Sequence, residues 1–366
     1  MPFRQCPYCR LPHEAGLTRC PITSLPLFDT ETRLPAVEDA GLVGAIVDDK
    51  YEVIETLGRG STGHVYRARH VKIGRQVALK VLRSDLARAA RVRDRFIREA
   101  QATGRVDHPN VVQIWDVGIT PDGDPFMVME LLDGEPLSRR LVRERRLPLA
   151  DALAVTQQVL SGLAAAHAAD VIHRDVKPEN VVLTRRDRVK LVDFGLARLV
   201  DGSDAARITG RGDIIGTPAY LSPEQGGGGT VGAPGDAWAA TVVLYEMVVG
   251  ELPFAAESVV EQLSAIMHAE PEKPSAKRPY LPAALDAIVE AGLRKDPAAR
   301  ASVDELLERL TMLEAQLSGA ELRDTADELP ASSGSTARRE RGTSMDDTIE
   351  EASSVLDTID LDTIDD

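Results

Sequence analysis

Near Gly134 the hydrophobic period of this sequence changes, and that change narrows the folds open to it. Upstream, Tyr51–Leu57, His64–Ala68 and Gln76–Leu82 alternate or run apolar with β-branched residues, and glycine-bearing turns separate them, which is strand behaviour. Val111–Val117 and Phe126–Leu131 read as two further strands. Between these groups Ala89–Arg105, rich in Arg and Ala with Val92, Phe96 and Ile97 as its apolar residues, reads as one helix. Downstream, Leu149–Ala169 carries apolar residues at spacings of three and four and reads as a long helix; Trp238–Val249 and Leu285–Gly292 read as shorter ones. The expectation is an α+β chain of two lobes, β-rich then mostly helical, hinged near Leu131–Gly134.

A chain of 366 residues has room for one large domain or two ordinary ones. With 43% hydrophobic and 28% charged residues, it is neither wholly disordered nor a disulfide scaffold. The net charge of −15 is concentrated: residues 319–366 hold 14 Asp or Glu against 4 Arg. The rest is close to neutral, which argues against nucleic acid as a partner. The most apolar stretch, Ala237–Gly250, contains Glu246 and is too short for a bilayer, so no membrane span is expected. The opening residues lack an apolar signal region. All three cysteines fall in the first 20 residues, an odd number that disfavours disulfides and points to a reducing cytoplasm. Four sections follow: a Cys-containing segment at 1–30, a linker at 31–50, a dense region at 51–315, and an acidic Ser/Thr-rich tail at 316–366 that reads as disordered.

Gly58-Arg59-Gly60-Ser61-Thr62-Gly63-His64-Val65 lies between two predicted strands. A G-x-G-x-x-G alone says little, and its dinucleotide-binding form needs a helix directly after the third glycine. Here a strand follows, which leaves either a hairpin laid over a nucleotide or an ordinary glycine-rich hairpin. Glycine lets backbone approach phosphate oxygens with no Cβ in the way. On the next strand, Val77-Ala78-Leu79-Lys80 puts one lysine in an apolar run, which is costly unless it meets a counter-charge. Glu99 offers one, although Arg98 and other charges on that helix compete.

His173-Arg174-Asp175-Val176-Lys177-Pro178-Glu179-Asn180 follows the long helix, and Val189-Lys190-Leu191-Val192-Asp193-Phe194-Gly195 comes next as strand plus turn. With these features in this order, the chain resembles a bacterial Ser/Thr protein kinase of the eukaryotic-like (Hanks-type) family from about Tyr51 to Leu310. The resemblance implies the two-lobed protein kinase fold, with an N-lobe at 51–132 and a C-lobe at 133–315. It implies transfer of the ATP γ-phosphoryl group to Ser/Thr hydroxyls of protein substrates, autophosphorylation included, in bacterial signalling. Such transfer needs alignment and charge neutralisation more than covalent help. By resemblance, Asp175 accepts the substrate hydroxyl proton, Lys177 neutralises charge on the migrating group, and Asn180 and Asp193 bind Mg²⁺ as hard oxygen ligands. Lys80 holds the α/β-phosphates and Glu99 orients it. Gly58, Arg59, Gly60, Ser61, Gly63, Val65 and Ala78 surround the nucleotide. Adenine bonds to the hinge backbone at Glu130 and Leu132, with Met129 behind it. The lysine two residues after Asp175 is the Ser/Thr pattern.

Gly216-Thr217-Pro218-Ala219-Tyr220-Leu221-Ser222-Pro223-Glu224 resembles the substrate-side loop, with S-P-E in place of A-P-E. Glu224 is expected to meet Arg300, and Asp236 to brace the catalytic loop. Thr241 replaces a family glycine and Gly226–Gly229 is unusually flexible; neither removes a catalytic position, so an active enzyme is favoured over a non-catalytic scaffold. Arg174 resembles the arginine that receives an activation-loop phosphate, and Thr209 is the expected site, with Thr217 also regulatory. The alternative is a loop already ordered by Asp213.

Cys6-Pro7-Tyr8-Cys9 is a knuckle suited to zinc, with Cys20 and His13 completing a Cys₃His set. The alternative is a degenerate ribbon without metal. The tail repeats Asp347-Thr348-Ile349, Asp357-Thr358-Ile359 and Asp362-Thr363-Ile364. Phosphorylated threonines there would suit a phosphothreonine-binding domain; a solubility role is the alternative.

Overall fold

Two strands near the N-terminus, β1 (Phe3–Gln5) and β2 (Pro12–Glu14), pair as an antiparallel hairpin. The structure, a computed structural model, describes residues 41–60, 62–185, 188–195, 218–229 and 231–317, together with the backbone of this hairpin. All of them fall in one unit, Met1–Glu328. Ser61, Thr209, Thr217, Cys6, Cys9, Cys20 and the tail from residue 318 lie outside the described residues, as does the side chain of His13.

The β-rich lobe is a six-stranded antiparallel sheet. Its strands are β3 (Ile46–Val47), β4 (Tyr51–Arg59), β5 (Gly63–His70), β6 (Gln76–Leu82), β7 (Ile114–Ile119) and β8 (Pro125–Glu130), in the order β3-β4-β5-β6-β8-β7. Strand alternation sorts β6 between two cores. Val77, Leu79 and Val81 join Val53, Tyr66, Phe126 and Val128 on one face. Ala78 and Leu82 join Met127, Met129 and the helix residues Val92, Phe96 and Ala100 on the other. Covering both faces makes β6 read as a continuous apolar run, and parity puts Lys80 on the helix-covered face. The sheet curls until its two sides meet: the Tyr51 hydroxyl on β4 donates to Asp116 Oδ2 on β7 at 2.9 Å. Lys50 adds a 3.3 Å ion pair to the same oxygen. Burial and that hydrogen bond push the Tyr51 phenol up to about 12.

Three boundaries differ from the sequence reading. The helix read at 89–105 is α2 (Ala90–Thr103), and a short helix that the reading lacks, α1 (Ser84–Ala87), precedes it. The strand read from Val111 begins at Ile114, because Val111 instead bridges Leu191 of the other lobe and Val112 N–H donates to Leu191 O at 3.0 Å. Within the segment read as a linker, Ile46–Val47 adds an edge strand whose Val47 is fully buried.

The second lobe opens with β9 (Gly134–Pro136), α3 (Leu137–Glu144) and α4 (Leu149–Ala168); β10 (Val181–Thr184) and β11 (Val189–Leu191) complete a three-stranded sheet with β9. Then come α5 (Pro223–Gly226), α6 (Ala233–Val249), α7 (Val259–His268), α8 (Pro274–Lys277), α9 (Ala283–Gly292) and α10 (Val303–Gln316). Capping boxes open α7 (Ser258, Glu261) and α10 (Ser302, Glu305). Helix α6 is buried from Gly235 to Val249 and stops at Gly250, in the left-handed region at φ 84°. Among the described residues α4 is the one helix long and apolar enough to cross a membrane. Its Leu153, Leu160 and Leu163 are buried in the helical core.

Candidate active site

Asp236, in the first turn of α6, organises the loop that follows α4. Its carboxylate is 1% exposed and accepts the backbone N–H groups of His173 (2.8 Å) and Arg174 (2.7 Å). His167, from the last turn of α4, adds its Nε2 at 2.7 Å. These bonds hold Arg174 at φ +66°, a strained backbone that aims the next residue. Gln225 Nε2 donates to the Arg174 carbonyl at 3.1 Å from the opposite side.

Asp175 then receives Lys177 Nζ on both carboxylate oxygens, at 2.9 and 2.7 Å. Asn180 Nδ2 donates to Asp175 Oδ2 at 2.9 Å and to its carbonyl at 2.8 Å. Burial works to lower the Lys177 pKa, but Asp175 outweighs it and the net shift is upward. His173 is fully buried, and that burial lowers its pKa below the usual imidazole range. Its Nε2–H donates to Val192 O at 3.0 Å and its ring sits 4.3 Å from that of Phe194.

Strand β11 delivers Asp193, at φ +65°. Its Oδ1 pairs with Lys80 Nζ at 2.6 Å. Burial would raise the Asp193 pKa, but the Lys80 ammonium holds it below the usual carboxylate range. Lys80 itself is 3% exposed. Glu99, which the sequence offers as a counter-charge for Lys80, brings its carboxylate against Gly195: a Cβ there would lie 2.5 Å from Glu99 Oε2. Gly195 is favoured by its φ of +67°, and a side chain there would also have to displace the Glu99 carboxylate. Glu99, Asp193, Phe194 and Met129 line one cavity.

The three loop glycines do different work. A Cβ on Gly58 meets nothing within 4 Å, and one on Gly60 meets only Gly63 O at 3.6 Å. A Cβ on Gly63 would collide with Val81 O at 2.3 Å, so Gly63 lets β5 lie close against β6. Val65, Ala78 and Met129 share the apolar face that also carries Lys80. At the hinge, the Glu130 carboxylate takes Lys190 Nζ at 2.5 Å.

These residues fit Mg²⁺ and a nucleoside triphosphate. The open side of Gly58 and Gly60 leaves room for phosphates beside a buried ammonium. Asp193 and Asn180 supply hard oxygens, and Asn180 spends its amide nitrogen on Asp175, which leaves its carbonyl oxygen to ligate. Behind the site, Arg300 and Glu224 form a bidentate ion pair at 2.8 and 2.9 Å. Sequence reasoning did not find His167 or Lys190, since each meets its partner through tertiary contact and no motif marks it; Gln225 was legible as the far end of an S-x-x-Q capping box opened by Ser222, although its bond to Arg174 was not.

The family model for the protein kinase domain matches residues 51–311. Serine/threonine-protein kinase pkn3 of Myxococcus xanthus is 39% identical over 265 residues, which cover 70% of this chain and 48% of that protein. PrkC of Bacillus subtilis is 35% identical over 269 residues, covering 73% and 41%. PknB of Mycobacterium tuberculosis is 39% identical over 257 residues, covering 69% and 41%. This chain thus spans about half, or less, of the length of these relatives. The crystal structure of the Mycobacterium tuberculosis PknI kinase domain is similar at a TM-score of 0.59 and 29% identity, over 75% of this chain and 99% of that one.

Proposed function

We propose a function from one premise: this chain belongs to the protein kinase family. It is a bacterial Ser/Thr protein kinase that moves the γ-phosphoryl group of ATP onto Ser/Thr hydroxyls of proteins, itself included. The observation that carries this reading is the convergence of the Lys80–Asp193 ion pair with the Asp175–Lys177–Asn180 cluster.

Bound MgATP supplies the phosphoryl group and the divalent charge that steadies it. Lys80 would hold the α/β-phosphates, with Glu99 on α2 fixing its approach, and Asn180 and Asp193 would hold Mg²⁺. Gly58, Arg59, Gly60, Ser61 and Gly63 close over the phosphates, while Val65, Ala78 and Met129 pack on the adenine and the backbone of Glu130 and Leu132 bonds to it. Asp175 accepts the proton of the acceptor hydroxyl. Lys177, already against Asp175, neutralises charge on the transferring group. The test is incubation with Mg²⁺ and labelled ATP, beside Asp175→Asn. Label on the protein and on basic substrates, lost in the variant, is the expected result. An unlabelled wild type would make the fold a scaffold.

We extend the reading to three outlying features. Arg174, whose buried Nε has no hydrogen-bond partner among the described residues, suits a phosphate on Thr209, in a regulatory segment that also includes Thr217. Thr209→Ala with full activity would refute that. Cys6, Cys9, His13 and Cys20 bind one zinc; the support is the β1–β2 hairpin, whose connecting segment holds Cys6 and Cys9. Metal analysis of the Cys6→Ser/Cys9→Ser protein decides it. The tail threonines Thr348, Thr358 and Thr363 are autophosphorylated and read by a phosphothreonine-binding domain in the cytoplasm; phosphate absent from all three sites would remove this partner.

A further inference from the structure

Strand β11 is tied to the β-rich lobe by two ionic links of opposite polarity. Two residues past its end, Asp193 meets Lys80 of β6 at 2.6 Å. Three residues earlier, Lys190 meets Glu130, the last residue of β8, at 2.5 Å. Lys190 also donates to Val111 O at 3.1 Å, and its side chain is 12% exposed. The Glu130 oxygen that it touches takes a second bond from the Gln113 N–H at 2.9 Å, so neither partner is free to drift.

The strand is stiff. Asn110 Nδ2 donates to Val189 O at 2.8 Å, Leu191 N–H to Asn110 O at 2.8 Å, and Val192 N–H to Asn180 O at 3.0 Å. What fixes β11 therefore fixes both proposed metal ligands, Asp193 and Asn180. Of the two ionic links, Lys80–Asp193 involves groups that the bound phosphates and metal would engage. Lys190 and Glu130 are assigned no such contact.

We infer that Lys190 is a positioning residue for phosphoryl transfer: clamped to Glu130, it sets the separation between the hinge that receives the base and the strand end that receives the metal. This rests on the kinase reading above. Partly buried ion pairs of this kind leave a stranded charge when one partner is removed, so the hinge carboxylate would seek other contacts and the spacing would relax.

Lys190→Met and Glu130→Gln are measured by calorimetry against adenosine, which reports the base site alone, and against MgATP. In Lys190→Met, adenosine affinity is expected to stay within about twofold while MgATP affinity and the ATP KM worsen about tenfold, the size of a single charge-contact loss. The KM for protein substrate stays unchanged, Lys190→Arg restores most of the loss, and adding Glu130→Gln to Lys190→Met costs little more. Equal weakening of adenosine and MgATP, or a lower melting temperature with both affinities intact, overturns the inference and makes the pair a structural brace. Should Lys190→Met not fold, Glu130→Gln carries the same comparison. Wild-type protein that binds MgATP but transfers no label would refute the kinase reading and leave the binding comparison standing.

Discussion

Thr241 on α6 and Gly292 at the end of α9 share one space: a Cβ built on Gly292 would lie 2.1 Å from Thr241 Oγ1. Thr241 is buried and returns its hydroxyl proton to Ala237 O at 2.8 Å within its own helix. Thr241, which the resemblance places at a family glycine position, is thus accommodated by a glycine on the facing helix. Gly292→Ala is expected to cost about 1–3 kcal/mol through overpacking. Thr241→Gly in the same chain is expected to recover part of it. Denaturant unfolding of the two singles and the double checks this; strict additivity would mean that the two sites do not share the space.

Gly58 and Gly63 separate binding from folding. Gly63→Ala is expected to lower stability by about 1–3 kcal/mol, because its new methyl meets the Val81 carbonyl. Gly58→Ala, with open space around it, is expected to leave the melting temperature in place and raise the ATP KM. Thermal melts paired with ATP titrations distinguish the two, and the reverse pattern would refute the assignment.

Lys80→Met retains much of the stem volume within a buried strand but removes the ammonium that faces Asp193. Activity is expected to fall about 10²-fold or more, as for other charge contacts made in a transition state. Circular dichroism should show the fold intact. Residual activity above about a tenth would remove Lys80 from the machinery.

The Glu224–Arg300 pair is buried, with the Arg300 side chain wholly enclosed. Burial tends to raise the Glu224 pKa, yet the hydrogen bonds from Arg300 outweigh it and hold the carboxyl below its usual range. Arg300→Ala strands that carboxylate and is expected to cost about 3–5 kcal/mol. Stability from this pair is present above the ordinary carboxylate pKa and fades as pH falls through the depressed one. Melting temperatures of wild type and variant should therefore converge in acid.

Lys295 lies 4.0 Å from the Phe254 ring centroid and 5.0 Å from that of Trp238, and donates to Ile266 O at 2.8 Å. Burial pulls its pKa down to about 8, with Glu270 opposing and Arg300 assisting. An unfolded chain keeps this proton to about 10.5, so between the two values the unfolded state binds more protons and stability rises with pH. Melting curves from pH 7.5 to 10 should show wild type gaining on Lys295→Met. Parallel curves would refute the shift.

What the sequence disclosed follows the range of each interaction. Asp175, Lys177 and Asn180 stand within one loop, and their spacing is local, so the motif was legible. Lys80 was legible for the opposite reason, as one charge in a run made apolar by two cores. Helix α1, Ser84–Ala87, is a single turn and too short to display a helical period. Ile46–Val47 is too short to display a period. His167–Asp236 and Lys190–Glu130 span 69 and 60 residues, and only the tertiary fold brings them together.

The Tyr51–Asp116 bond makes the β-rich lobe a hoop with a clasp, and the clasp is where the preceding chain joins it. Lys50, one residue upstream, grips the same aspartate, and Val47 of the edge strand β3 is fully buried. A tug on residues before Ile46 is therefore carried across the seam to β7 rather than absorbed by a slack leader. Trimming the chain to start at Tyr51, where the family match begins, would keep the tyrosine but strip away its reinforcement; a start at Leu42 retains the whole fastening.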